Sequence, residues 1–224
     1  RELLKPAGAG FGMVALAGLL ADKARANIFF TAYTKLGETD PAKRPLTFSF
    51  NGGPGSSSVW LHLGMLGPKR VVMTDKGESL PPPYKWVDNE TSWLDQTDLV
   101  FIDAISTGFS RPVAGQDTAQ FWGVVQDATY FADFIYQYLS RNDRWLSPKF
   151  LIGESYGTTR SAQLSSVLQK RHQIYLNGVV LVSAVGFGNW GQDDRTIFFL
   201  PTFIMSAWYH KLLPPDLQKL SAKQ

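Results

Sequence analysis

A chain of 224 residues is long enough for one sizeable core, and a 44% hydrophobic fraction with seven Trp and fifteen Phe describes a globular fold, not disorder. A formal charge of +3 without long runs of Lys or Arg leaves no footprint for nucleic acid, and the lack of cysteine removes disulfides, zinc-thiolate sites and cysteine nucleophiles. The three histidines, His62, His172 and His210, have no metal-ligand spacing, so no metal or other cofactor is expected.

In chain order, the apolar run at positions 8–20, "GAGFGMVALAGLL", is too short for a membrane span. Arg1 and Lys5 ahead of it give it the outline of a secretory leader, against which Glu2 counts. "NIFFTAYT" (27–34) reads as a strand, "ETDPAKRP" as a connector, and "LTFSF" (46–50) as a second strand that runs into "NGGPGSSS" (51–58). Such a loop either turns tightly or lets another molecule approach the backbone. "VWLHLGMLGP" (59–68) suggests a short helix ended by Gly67 and Pro68, and "TDKGESLPPPYKWVDNETSW" is too polar and proline-rich for regular core structure. "DLVFID" (98–103) reads as a buried strand. From Asp117, the expected N-cap, to Leu139, the residues Phe121, Val124, Val125, Ala128, Phe131, Ile135, Tyr138 and Leu139 recur at helical spacing. "KFLIG" (149–153) is strand-like, "TTRSAQLSSVLQK" helical and "GVVLVSAVG" (178–186) a further strand. Strands alternating with helices predict an α/β fold, a mainly parallel sheet with helices on both faces.

"GESYG" (153–157) matches G-x-S-x-G. A chain of this length holds such a match by chance about one time in ten, so its context decides. A strand, a tight turn and a helix are what a nucleophile elbow needs, because the sharp turn exposes the serine oxygen and the glycines relieve crowding. Ser155 is the candidate nucleophile. In a hydrolase of this design two backbone N–H groups hold the oxyanion, one following the nucleophile and one from an earlier glycine-rich loop. Tyr156 and Gly53 of "NGGPG" are the expected donors.

Taken together, "FNGGPGSSS", "LGPKRV", "NETSWLDQTDLVFIDAISTGFS" and "FLIGESYG" resemble the serine carboxypeptidase family of α/β-hydrolases in order and spacing, its bacterial branch most of all. The likeness spans about residues 25–190, and "VGFGNW" resembles the point where the family's helical cap insertion begins. Residues 1–190 are then expected to form the N-terminal part of the hydrolase core, and residues 191–224 the start of the cap. The resemblance implies a peptidase that removes C-terminal residues from peptides through an acyl-enzyme, in a secreted or periplasmic setting. It also implies that Asn51, Gly52 and Glu154 bind the substrate's terminal carboxylate. A glutamate beside a bound carboxylate must share a proton with it, which favours activity on the acid side.

Two departures follow. Met65 stands where the family often has a second glutamate, paired with the one before the serine. The family's catalytic Asp and His lie far downstream of the serine, whereas here only Asp193 or Asp194 followed by His210 has the required order. The expected source of both is a C-terminal half outside this chain or a second chain, so that this portion alone is inactive. His172 is expected to be an exposed helix-end residue and His62 a packed or solvated one. An esterase or acyltransferase on the same scaffold, and a non-catalytic peptide-binding homologue, remain open alternatives.

Overall fold

The computed structural model describes residues 10–15, 26–38, 40, 42–185 and 192–221. The chain divides into two units, Arg1–Gly186 and Phe187–Gln224. In the first unit the elements are β1 (Gly10–Ala15), β2 (Ala26–Tyr33), β3 (Leu46–Phe50), α1 (Val59–Leu61) continued by a π-helical turn (His62–Leu66), β4 (Lys69–Val71), β5 (Trp86–Asp88), β6 (Asp98–Ile102), β7 (Arg111–Pro112), α2 (Val124–Arg141), β8 (Lys149–Glu154), α3 (Tyr156–His172) and β9 (Gly178–Val182). In the second unit α4 spans Gln192–Tyr209 and α5 Pro215–Gln218.

Six strands lie in the order β1-β2-β6-β3-β8-β9, with β7 paired to β2. The pairs β6/β3, β3/β8 and β8/β9 are parallel, whereas β1 and β2 run antiparallel. This is the α/β-hydrolase arrangement. β3 and β6 are buried at every position, as central strands of a parallel sheet must be. Alternate residues face opposite sides: Val100 and Ile102 join Phe48, Leu151 and the helices α2 and α3, while Leu99 and Phe101 join Ile152, Leu61 and Leu66. Long helices thus cover one face, and the short turns after β3 and before β6 pack on the other.

Several expectations are corrected. "GMVA" lies in a strand paired to β2, and positions 16–20 of that apolar run are outside the described residues. α2 starts at Val124, not at Asp117, because Gly123 at φ 105° interrupts the path. Asp117 accepts from the Ala119 N–H at 2.9 Å and caps a 3₁₀ turn, and Val124 and Val125 are exposed at 41% and 56%. β5 lies within the proline-rich stretch and pairs with β4 in a two-stranded ribbon. Of "VGFGNW" only Val185 is among the described residues.

The two ends of the central strands are built differently. At their start, Asp98, 1% exposed, accepts from Arg44 Nε at 2.8 Å, Arg144 Nη1 at 2.6 Å and the Lys35 N–H at 3.1 Å. This bridged carboxylate ties β6 to the segments entering β3 and β8. Their carboxyl ends are left to loops, which is where open α/β sheets bind ligands.

Candidate active site

Ser155 sits between β8 and α3 at φ 55°, ψ −122°. A residue with a Cβ rarely occupies that region, and holding it there costs about 1–3 kcal/mol. The strain is locked in by local bonds. The Ser155 N–H donates to the Val182 carbonyl at 2.9 Å, and the Ser155 carbonyl accepts from the Thr158 N–H at 2.9 Å and Thr158 Oγ1 at 2.7 Å. The motif's glycines are required by close approach. A Cβ on Gly153 would lie 2.1 Å from the Gly157 oxygen, and one on Gly157 would lie 2.9 Å from the Phe50 oxygen. Ser155 Oγ has no hydrogen-bond partner among the described residues.

The loop after β3 presses its backbone onto this elbow. A Cβ on Gly52 would lie 2.5 Å from the Tyr156 nitrogen and 2.9 Å from Ser155 Cβ. Gly53 has φ +107°, a left-handed conformation that favours glycine. Gly53 and Gly52 therefore serve the two purposes that the sequence suggests, a tight turn and an open backbone.

Asn51 is 2% exposed, and each of its polar groups is held. Nδ2 donates to Glu154 Oε2 at 3.0 Å, Oδ1 accepts from the Leu61 N–H at 3.0 Å, and the main-chain carbonyl accepts from Arg160 Nη1 at 2.7 Å. The Gly52 N–H points to the same Glu154 oxygen at 3.5 Å. Arg160, 1% exposed, also donates through Nε to Asp127 Oδ2 at 2.7 Å. Asp127 in turn accepts from the Tyr130 hydroxyl at 2.8 Å, and burial, followed by the Asp127 charge, pushes that phenol's pKa well up, so it stays a neutral donor. Asp103 braces the loop from the other side, accepting from the Ser58 N–H at 2.9 Å and Ser58 Oγ at 2.8 Å.

Asn51, Gly53, Glu154 and Ser155 line one open cleft of about 510 Å³, together with Trp60, Leu61 and Met65. Four of the six site residues expected from sequence line this cleft, while Gly52 and Tyr156 are not in its lining and meet backbone to backbone next to Ser155. Met65 shares the cleft with Glu154. Arg160, Asp127 and Asp103 were not anticipated; an arginine among the apolar positions of a helix was the sole hint at the first.

His62 is packed beside the cleft, sharing a 2.8 Å hydrogen bond with the Tyr33 hydroxyl and stacked 4.5 Å from Phe101. Burial lowers its pKa to about 4, against a smaller opposing effect of Asp103, so it is neutral at pH 7. His172 ends α3 as expected, but it is half-buried: Nε2 lies 2.8 Å from Asp133 Oδ1, and the ring stacks on Tyr136 at 4.8 Å. His210 belongs to the second unit, where its ring meets Tyr209 edge-on at 5.1 Å. Among the described residues no group of three or more His, Asp or Glu could hold a metal ion, and no helix is long and apolar enough to cross a membrane.

A strained serine at the carboxyl end of a parallel strand, facing a glycine loop, defines an α/β-hydrolase. The model of the serine carboxypeptidase family matches residues 11–219, and the chain belongs to that family. It is 31% identical over 199 residues to serine carboxypeptidase-like 33 of Arabidopsis thaliana, covering 85% of this chain and 38% of that protein. It is 29% identical over 192 residues to carboxypeptidase S1 of Penicillium janthinellum, covering 83% of this chain and 42% of that protein. The chain thus spans about two fifths of the length of either relative. Both come from eukaryotes and lend no support to a bacterial placement. The crystal structure of a prohormone-processing carboxypeptidase from Saccharomyces cerevisiae superposes with a TM-score of 0.66 at 24% identity, over 91% of this chain and 42% of that one, which supports the fold.

Two measurements check the site's physical description. Glycine tolerates the backbone of residue 155 and alanine does not, so Ser155→Gly should be more stable than Ser155→Ala by about 1 kcal/mol in urea unfolding. For His62, the unfolded chain binds a proton below pH 6.5 that the folded chain refuses until about pH 4. Stability is therefore full above pH 6.5 and falls as the pH drops toward 4, and His62→Gln should flatten that fall in pH-dependent unfolding curves.

Proposed function

We propose that this chain is the nucleophile-bearing part of a serine carboxypeptidase that hydrolyses C-terminal residues of peptides through an acyl-enzyme. Ser155 attacks the scissile carbonyl, the N–H groups of Gly53 and Tyr156 receive the oxyanion, and Asn51, the Gly52 N–H and Glu154 orient the terminal carboxylate. The observation that carries this reading is the junction of the strained elbow with the Asn51–Glu154 pair, at 3.0 Å, in one cleft. An oxyanion donor set beside a group suited to a terminal carboxylate confines cleavage to the last peptide bond.

A serine hydroxyl is a poor nucleophile without a general base. His172 stands at the far end of α3, about 25 Å along the helix from Ser155, and His62 Nε2 is bonded to the Tyr33 hydroxyl, so neither is placed to take the serine's proton. His210 belongs to the second unit, and in this reading the base and its acid partner come from residues outside this chain, on a longer form of the protein or on a second chain. Residues 191–224, which fall in the second unit, are read as the beginning of a helical cap. A secreted or periplasmic location belongs to the same reading.

Met65 in the cleft favours one competing reaction, ester cleavage or acyl transfer without carboxylate recognition. The full-length protein should be assayed on an N-blocked dipeptide and on its C-terminal amide. The acid should be cleaved at least about tenfold faster, and Ser155→Ala should lose about 10⁴-fold or more in kcat. Equal rates on acid and amide would favour the esterase reading. Undiminished hydrolysis by Ser155→Ala would remove Ser155 from the chemistry, and no labelling of Ser155 by an active-serine phosphonate would indicate a binding protein.

A further inference from the structure

We propose that Arg160 is a positioning residue for recognition of the substrate's terminal carboxylate, acting through the main chain of Asn51. The inference rests on the carboxypeptidase reading above. Arg160 lies in α3, one and a half turns past Ser155, and is absent from the cleft lining. It touches no substrate position. Its Nη1 holds the Asn51 carbonyl at 2.7 Å, and its Nε is fixed by Asp127 at 2.7 Å. The guanidinium lies 4.7 Å from the Phe131 ring centre and 5.3 Å from that of Tyr156.

Asn51 is the first residue after β3, so its carbonyl sets the direction in which the glycine loop departs. A turn of that peptide swings the Gly52 N–H, which shares its amide plane and faces Glu154 Oε2 at 3.5 Å, beside the Nδ2 of Asn51, which faces the same oxygen at 3.0 Å. A guanidinium suits the task because its rigid fork holds two partners at a fixed angle, which a lysine ammonium cannot do.

Stability alone does not account for this arrangement. A buried ion pair is costly to desolvate, and apolar residues of similar volume are often as good or better for the fold. Arg160 Nη2 in addition has no hydrogen-bond partner among the described residues, a further cost at a site that is 1% exposed. What the arginine supplies that apolar packing would not is the bond to the Asn51 carbonyl. Because the guanidinium bonds directly to Asn51, while the loop beyond Gly52 is held separately by the Ser56 N–H on the Gly52 carbonyl at 3.1 Å and by Asp103 on Ser58, its loss should be felt at the carboxylate end of the substrate more than at the oxyanion.

The test compares two variants of the full-length protein. Arg160→Lys keeps the charge opposite Asp127, and Arg160→Met with Asp127→Asn removes the donor without leaving an unpaired charge. For each, kcat/KM is measured on the N-blocked dipeptide and on its C-terminal amide. The acid-to-amide ratio should fall about tenfold in both variants, chiefly through KM for the acid, while the amide rate stays within about threefold of the unsubstituted protein. Labelling of Ser155 by a small phosphonate without a carboxylate should keep its rate. Parallel loss on acid and amide, with the ratio unchanged, would assign Arg160 to general support of the fold and overturn the proposal, as would failure of both variants to fold. An unsubstituted protein that does not prefer the acid would instead contradict the carboxypeptidase reading before any variant is compared.

Discussion

No side chain fits between Gly52 and the elbow. The loop after β3 and the turn after β8 meet backbone to backbone, with the Gly52 Cβ position only 2.5 Å from the Tyr156 nitrogen, and the cleft exists because these two strand ends touch. β3 and β8 are parallel neighbours in register from Leu46 opposite Lys149 to Phe50 opposite Gly153, so both chains leave the sheet at the same level. The glycines then remove what would keep the loops apart. A strand pairing is thereby converted into a site, with a serine on one loop and open N–H groups beside it.

That contact is reinforced by buried charge. Arg160, paired with Asp127 under the site, reaches the Asn51 carbonyl, while Asp103 reaches Ser58 at the far end of the same loop. The loop is gripped from both sides by groups that leave the reactive surface untouched. At the opposite end of the strands Asp98 binds Arg44 and Arg144, so the sheet is closed there and open where the chemistry lies. A strained serine can persist in such a frame, since the surroundings determine its backbone more strongly than its own preference does.

Much of this was legible in the residues. "LTFSF" and the "LVFI" of β6 are runs of apolar or small residues and became fully buried strands, and "GESYG" after a strand announced the elbow. The roles of the glycines were readable because only close approach or a left-handed turn calls for them in that number. What escaped was set by distant partners. Asp127 and Arg160 are 33 positions apart, and Arg160 and Asn51 are 109 apart, so no local pattern marks them as one unit. The start of α2 escaped for a different reason. The apolar spacing continues through Trp122 and Gly123, and the positive φ at Gly123 breaks the helix where the periodicity does not. His172 was placed at its helix end correctly, but its burial depends on Asp133 and Tyr136 of a neighbouring helix.

The most direct measurement is a crystal structure of the full-length protein with Ser155 carrying a phosphonate analogue of a dipeptide that ends in a free carboxylate. The phosphoryl oxygen should lie about 3 Å from the main-chain nitrogens of Gly53 and Tyr156, and the carboxylate should be bound by Asn51, the Gly52 N–H and Glu154. A phosphoryl oxygen turned away from those two nitrogens, or a carboxylate left in solvent, would contradict the assignment of this cleft to carboxypeptidase chemistry.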